Sequence, residues 1–308
     1  MTPVRVDAEL VRRSLARSRA HAAELVRAGR VSAEGRAVTK PSASVPDDAE
    51  LVVVADPGDP GYASRAALKL AGTLDVLAED SAGRRVAAAV EGAWCLDLGA
   101  STGGFTDVLL RRGAAHVVAL DVGHDQLVPR LRDDPRVTVV EGYNVRGLVR
   151  EDLARAPQLV VGDLSFISLT LVLPALAPVL DPGTPALLLV KPQFEVGKER
   201  LGAGGVVRDT ALHASVVLAV IAEGARVGLH ARAVVPSPLP GPSGNREYFV
   251  AFERGEPSSE AGPAVADRVA DAVRAAVAWQ PDDEGSELPP VLPLEPATLP
   301  STRTGGAS

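Results

Sequence analysis

The chain has one cysteine, one methionine and few aromatic residues, which make up only 3 % of its 308 positions. A single cysteine excludes an internal disulfide. Its place in the apolar stretch Ala93-Trp94-Cys95-Leu96 makes Cys95 a packing residue and points to a reducing, cytoplasmic setting. No segment reaches the roughly 18 uninterrupted apolar residues of a spanning helix, and Met1 to Arg13 has no apolar core of signal-peptide length. Membrane insertion and secretion are therefore not expected. The five histidines, His21, His116, His124, His213 and His230, lack the spacing of metal ligands, so no metal is expected either.

The net charge of -7 argues against a polyanionic partner only until its distribution is counted. Residues 1–45 hold nine Arg or Lys against four acids, a balance of +5, whereas residues 253–308 hold ten acids against four arginines, a balance of -6. The basic end can therefore meet nucleic acid although the whole chain is acidic.

The basic end reads as a compact module. Val6 to Leu15 and Ser18 to Ala28 have helical spacing, with Ser18 a candidate N-cap, and short strands are predicted at Arg30 to Ser32, Ala37 to Lys40 and Glu50 to Ala55. The run Asp56-Pro57-Gly58-Asp59-Pro60-Gly61 is rich in helix and strand breakers and marks a joint, which divides the chain into a module over 1–56, a linker over 57–63 and a main domain over 64–254. In the main domain a helix over Ser64 to Leu77 precedes alternating strand and helix patterns. The predicted strands are Trp94 to Leu98, His116 to Asp121, Val137 to Glu141, Leu159 to Asp163, Ala186 to Lys191, His230 to Pro236 and Glu247 to Glu253. Helices are predicted at Gly104 to Arg112, Gln126 to Arg132, Leu169 to Val179 and Thr210 to Val227. Apolar strands separated by helical crossovers predict an α/β fold with a parallel, doubly wound sheet. Residues 255–308 form an acidic, proline-rich tail with one amphipathic helix over 264–279 and otherwise expected disorder.

Leu96-Asp97-Leu98-Gly99-Ala100-Ser101-Thr102-Gly103-Gly104-Phe105 is a strand that enters a glycine-rich turn and then a helix. Its spacing misses the G-x-G-x-x-G dinucleotide fingerprint, and no G-K-[ST] follows to make a phosphate-binding loop. The next strand ends on Asp121, suited to ribose hydroxyls, and the third ends near Glu141-Gly142-Tyr143-Asn144, placed to flank an adenine. Three such strand ends in succession point to S-adenosylmethionine, held by Asp97, Gly99, Ala100, Ser101, Gly103, Gly104, Phe105, Asp121, Asn144 and Asp163.

For the methyl acceptor, the sequence lacks the Asn/Asp-Pro-Pro-aromatic run of adenine amino methyltransferases, and its one cysteine precedes the cofactor turn, which disfavours carbon-5 pyrimidine chemistry. A ribose hydroxyl remains. Lys191 closes the buried run Ala186-Leu187-Leu188-Leu189-Val190, where an unpaired ammonium is costly. Lys69, Asp163 and Glu247 stand at positions from which two cations and two anions converge with it at one sheet edge. Lys191 is expected to meet the hydroxyl and either take its proton or chiefly hold the ribose in line, with Asp163 and Glu247 orienting it and Lys69 disfavouring its charged form.

These motifs carry a resemblance. Arg5-Val6-Asp7, Leu10-Val11-Arg12-Arg13, Ser18-Arg19, Gly29-Arg30-Val31 and Val38-Thr39-Lys40-Pro41-Ser42 resemble the S4 RNA-binding domain. Ser64-Arg65 through Lys69-Leu70, Leu96 to Phe105, Gly162 to Ser168, Lys191 to Lys198 and Ser237 to Phe249 resemble the TlyA family. That family joins a small N-terminal α+β S4 domain to a Rossmann-like, class I S-adenosylmethionine-dependent methyltransferase domain of the FtsJ kind, and it often carries the label haemolysin. The resemblance implies 2′-O-methylation of cytidine in 16S or 23S ribosomal RNA, with the Lys-Asp-Lys-Glu tetrad on Lys69, Asp163, Lys191 and Glu247. RNA contacts are expected at Arg5, Arg17, Arg19, Arg27, Arg30, Lys40, Arg65 and Lys198. Pro60-Gly61-Tyr62-Ala63 departs from the basic, aromatic linker common in the family. The competing readings are a haemolysin-like membrane-active protein, which lacks its expected basic amphipathic helix, and a non-catalytic ribosome-assembly protein.

Overall fold

The computed structural model describes residues 3–13, 15–17, 19–54, 60–241, 243–257, 263–280 and 288–294. Ser18 and residues 57–59 of the expected linker lie outside these. The chain divides into two compact units, Met1–Arg65 and Ala66–Ser308.

The first unit contains β1 (Pro3–Arg5), α1 (Val6–Arg12), α2 (Arg19–Arg27), β2 (Val31–Ala33), β3 (Arg36–Ala37), β4 (Ser44–Pro46) and β5 (Leu51–Val53). Val6, Leu10, Ala22, Leu25, Val26 and Val31 are buried together. Val6 and Leu10 on α1, and Ala22, Leu25 and Val26 on α2, recur at helical spacing, which is why both helices form and pack, and Val31 of β2 closes the cluster. Helix α1 stops at Arg12 rather than Leu15, because the Leu15 and Ala16 amides both turn back to the Leu10 carbonyl. Pairing of β1 with β4 was not predicted; three residues carry too little alternation to announce a strand.

The second unit begins with α3 (Ala66–Glu79) and α4 (Arg84–Ala88), followed by β6 (Trp94–Leu98), α5 (Gly104–Arg111), β7 (His116–Leu120), α6 (Pro129–Arg132), β8 (Val137–Val140) and β9 (Leu159–Gly162). It continues with α7 (Leu173–Leu176), β10 (Pro185–Val190), α8 (Pro192–Glu195), α9 (Thr210–Arg226), β11 (Leu229–Pro236), β12 (Tyr248–Arg254), α10 (Pro263–Ala278) and β13 (Leu292–Pro293). Where one helix was expected over Leu169 to Val179, only a four-residue helix flanked by tight 3₁₀ turns forms. Pro174 and Pro178 remove amide donors there. The helix expected from Gln126 likewise shrinks to α6, with Pro129 at its first turn.

Strand order in the eight-stranded sheet is β13-β11-β12-β10-β9-β6-β7-β8. Strands β10, β9, β6, β7 and β8 run parallel, and β12, β11 and β13 extend the sheet antiparallel. All six residues of β10 are buried, as a strand covered on both faces requires. The chain winds outward from β6 through β7 and β8 in one direction and through β9 and β10 in the other. The carboxyl ends of β6 and β9 therefore border the topological switch point, where ligands of such sheets bind.

The tail helix appears as α10, but the expectation of disorder beyond it fails over 288–294. There β13 pairs with β11 through Pro293 opposite Ala233 and Leu292 opposite Val234, and Leu294 is buried. A free sheet edge and the burial of Leu294 against the core outweigh the polar composition around them.

Candidate active site

Antiparallel register sets the centre of the site. Val190 at the end of β10 lies opposite Tyr248 at the start of β12, so Lys191 and Glu247 follow as neighbours just beyond the same sheet edge. Parallel pairing of Leu188 with Gly162 brings Asp163 to that edge as well. Helix α3 supplies Lys69 from across the sheet's end.

The four side chains form two ion pairs. Lys69 Nζ donates to Glu247 Oε2 at 2.5 Å, and both side chains are almost fully buried. Lys191 Nζ stands 2.6 Å from Asp163 Oδ1, a charge contact rather than an aligned hydrogen bond, and donates to Ser165 Oγ at 2.9 Å. The expected orientation of Lys191 by both carboxylates is thus corrected: Glu247 holds Lys69 and also accepts from Gln193 Nε2 at 3.2 Å. The Lys191 ammonium lies 5.8 Å from the centre of the Phe194 ring, which in turn contacts Phe166 at 5.1 Å. Phe166 is 91 % exposed and has φ 64°, an unusual backbone for a bulky side chain.

Beside this centre lies the turn after β6. Gly99 has φ +82°, and a Cβ there would sit 3.0 Å from the Asp163 carbonyl oxygen, so only glycine lets the turn touch the end of β9. Gly103 (φ +95°) opens α5, and a Cβ on it would strike Leu131 and Leu127. Ala100 and Phe105 are core residues, the latter against Phe249 with ring centres 6.0 Å apart. Asp121 orders the turn: Oδ2 accepts from the Ser101 amide at 2.8 Å and Oδ1 from Gly123 at 2.7 Å. Asn144 caps the 3₁₀ turn over Val145–Gly147 by accepting from the Arg146 amide.

Asp97 is fully buried on β6. Its Oδ2 accepts from Thr106 Oγ1 at 2.7 Å, while its Oδ1 meets no donor among the described residues. Burial pushes this carboxyl up to about 7, with the Thr106 bond opposing the rise and Asp163 and Asp121 adding to it. An orphaned acidic oxygen beside a turn that glycine keeps open fits a methionine-type ammonium and the rest of S-adenosylmethionine. Asp97, Gly99, Ser101, Gly103, Gly104 and Asp121 are the residues that would hold it. Thr106, Ser165 and Gln193 were missed as site residues; Ser165 and Gln193 each carried a signal, lying in the runs Gly162 to Ser168 and Lys191 to Lys198.

In the first unit two of the expected RNA-contact arginines, Arg5 and Arg19, prove to be clamped, as do Arg12 and Arg13, which were not among them. Arg5 and Arg19 both bind Asp7, and Arg12 and Arg13 both bind Glu9. Their guanidinium groups hold both buried carboxyls well below the usual range. Arg27, Lys40 and Arg65 are exposed, and Arg17 and Arg30 half-buried. The Lys198 side chain lies outside the described part of the molecule.

An FtsJ-like methyltransferase model matches residues 62–254, and an S4 domain model matches residues 4–51. The chain belongs to the TlyA family of FtsJ-like methyltransferases. The 16S/23S rRNA (cytidine-2′-O)-methyltransferase TlyA of Mycobacterium tuberculosis is 54 % identical over 246 residues, 80 % of this chain and 88 % of the relative. Hemolysin A of Brachyspira hyodysenteriae is 35 % identical over 81 % of this chain and 99 % of its own. A solved structure from Streptococcus thermophilus, also named a hemolysin, superposes with a TM-score of 0.66 at 37 % identity, covering 89 % of this chain and 96 % of that one. Among the described residues, no helix of this TlyA-family chain is long and apolar enough to cross a membrane, and no cluster of three or more His, Cys, Asp or Glu could hold a metal.

Proposed function

We propose that this protein methylates the 2′-hydroxyl of a cytidine in ribosomal RNA, using S-adenosylmethionine in the main domain and gripping RNA with the S4 domain. The observation that carries the reading is the pair of ion pairs, Lys191 with Asp163 and Lys69 with Glu247, at the switch point beside the glycine turn. Bound S-adenosylmethionine supplies a methyl group made electrophilic by its sulfonium. A ribose hydroxyl is a poor nucleophile, so the chain's own residues must hold it in line and take its proton as attack proceeds. Lys191, once its own proton has passed to solvent, meets the hydroxyl as a neutral amine and receives that proton, and Asp163, 2.6 Å away, compensates the ammonium that re-forms. Ser165 fixes the direction of the Lys191 amine. Lys69 and Glu247 form the buried wall against which the ribose is seated. The exposed Phe166 ring offers the acceptor base a stacking face once that base leaves its helix. A protein acting on ribosomal RNA works in the cytoplasm.

Radiolabelled methyl transfer to separated small and large ribosomal subunits, followed by mapping of the modified nucleotide, tests this. Label on a cytidine 2′-oxygen is expected, and Lys191→Ala should lower turnover by at least about 100-fold. No label on either subunit would sink the reading.

A further inference from the structure

Gln193 occupies the second position of α8, two residues beyond Lys191. Its amide is oriented by its partner: Glu247 Oε1, a carboxylate oxygen, can only accept, so the nitrogen must face it, as the 3.2 Å contact shows. The carbonyl end is thereby turned the other way. There Gln193 Oε1 is shielded from water and has no hydrogen-bond donor among the described residues. A buried amide oxygen without a donor costs about 1–3 kcal/mol. Side-chain rotation cannot relieve it without breaking the bond to Glu247.

Of the donors the substrates bring, the adenosine hydroxyls and amino group belong with Asp121 and Asn144 at the ends of β7 and β8, and the cytosine amino group with the base, which leaves the methionine ammonium and the acceptor hydroxyl for the ends of β6, β9 and β10. Asp97 on β6 also has an oxygen unmatched among the described residues, and as an acid it suits the ammonium. Gln193 stands on the other side of Lys191, in contact with Glu247, and its neutral amide oxygen suits a neutral hydroxyl. Inside an RNA chain the 3′-oxygen is esterified, which leaves the 2′-hydroxyl as the only ribose donor.

Resting on the proposed function, we infer that the acceptor 2′-hydroxyl donates its one proton to Gln193 Oε1 in the bound complex, which holds the hydroxyl oxygen beside Lys191; as methyl transfer begins, the O–H turns from the weakly basic amide oxygen to the Lys191 amine. Gln193 is then a positioning residue with two tasks in one amide. Its nitrogen fixes Glu247, and its oxygen selects an acceptor that can donate.

The test is a binding cycle. Wild type and Gln193→Met are titrated, with S-adenosylhomocysteine present, against ribosomal subunits reconstituted with either ribose or 2′-fluoro-ribose at the mapped acceptor nucleotide. Fluorine preserves the sugar pucker but cannot donate. Wild type should bind the ribose form about fivefold more tightly, the size of one neutral hydrogen bond, and Gln193→Met should bind both forms alike. Loss of the contact to Glu247 weakens both forms equally and cancels in the ratio. An unchanged ratio in the variant, or no preference in wild type, overturns the inference. Gln193→Asn, which keeps the amide but draws it back by one methylene, replaces the Met variant if that one fails to melt cooperatively. If wild type transfers methyl to the ribose form while the ratio is unchanged, only this inference falls; if it transfers none, the proposed function falls first.

Discussion

Lys69 and Glu247 attract each other inside the protein, where removing one partner leaves the other charged and without water. That asymmetry makes the single substitution worse than the double. Lys69→Met should destabilise the fold by about 3–5 kcal/mol, and adding Glu247→Met should recover most of the loss, as read from urea unfolding. Asp97 gives a second test at this scale. Its carboxyl, raised by burial to about 7, lies above its unfolded value near 4. The stability contributed by the neutral form is therefore complete below about pH 4 and is lost as pH rises through 7. A tenfold change in proton affinity between the folded and unfolded chain corresponds to about 1.4 kcal/mol. Ligand-free wild type should lose a few kcal/mol between pH 4 and 8 relative to Asp97→Asn, whose side chain does not titrate. Parallel stability curves for the two proteins would contradict the assignment.

At the level of elements, the turn after β6 and the end of β9 form one device. A methyl group on Gly99 would press on the backbone carbonyl of Asp163, and its positive φ strains any other residue. Gly99→Ala should cost about 1–3 kcal/mol in stability, and by shifting Asp163 against Lys191 it should lower turnover more than it weakens RNA binding. Steady-state kinetics on isolated subunits separate the two effects. Elements of this kind were legible in the sequence because long apolar runs such as 186–190 and the glycine turn each carry a period or a breaker that local chemistry dictates. The strands β1 and β13 and helix α8 were not, since two to four residues leave no period to read and form only where a partner strand or turn is waiting. The tetrad residues could be named from motifs, but their partition into Lys69 with Glu247 and Lys191 with Asp163 depends on sheet register. Register is a long-range property that the motifs do not encode.

Over the whole molecule the net charge of -7 conceals a basic module of +5 and an acidic tail of -6. RNA affinity should therefore follow the module rather than the total. Asp7 and Glu9 hold Arg5, Arg19, Arg12 and Arg13 in fixed positions, and the Arg12 side chain remains about two-thirds exposed. Guanidinium groups immobilised in this way lose little further freedom on meeting a phosphate. Each phosphate they neutralise releases counterions, so affinity for ribosomal RNA should fall steeply as salt rises. Replacing Arg12 and Arg27 together by Gln should flatten a plot of log affinity against log salt by about one unit per lost contact. Turnover at saturating subunit should stay within about twofold, because neither residue belongs to the methyl-transfer centre in the second unit. A salt slope unchanged by the double substitution would move the RNA grip away from α1 and α2, to the remaining arginines of the module or to the face around Phe166.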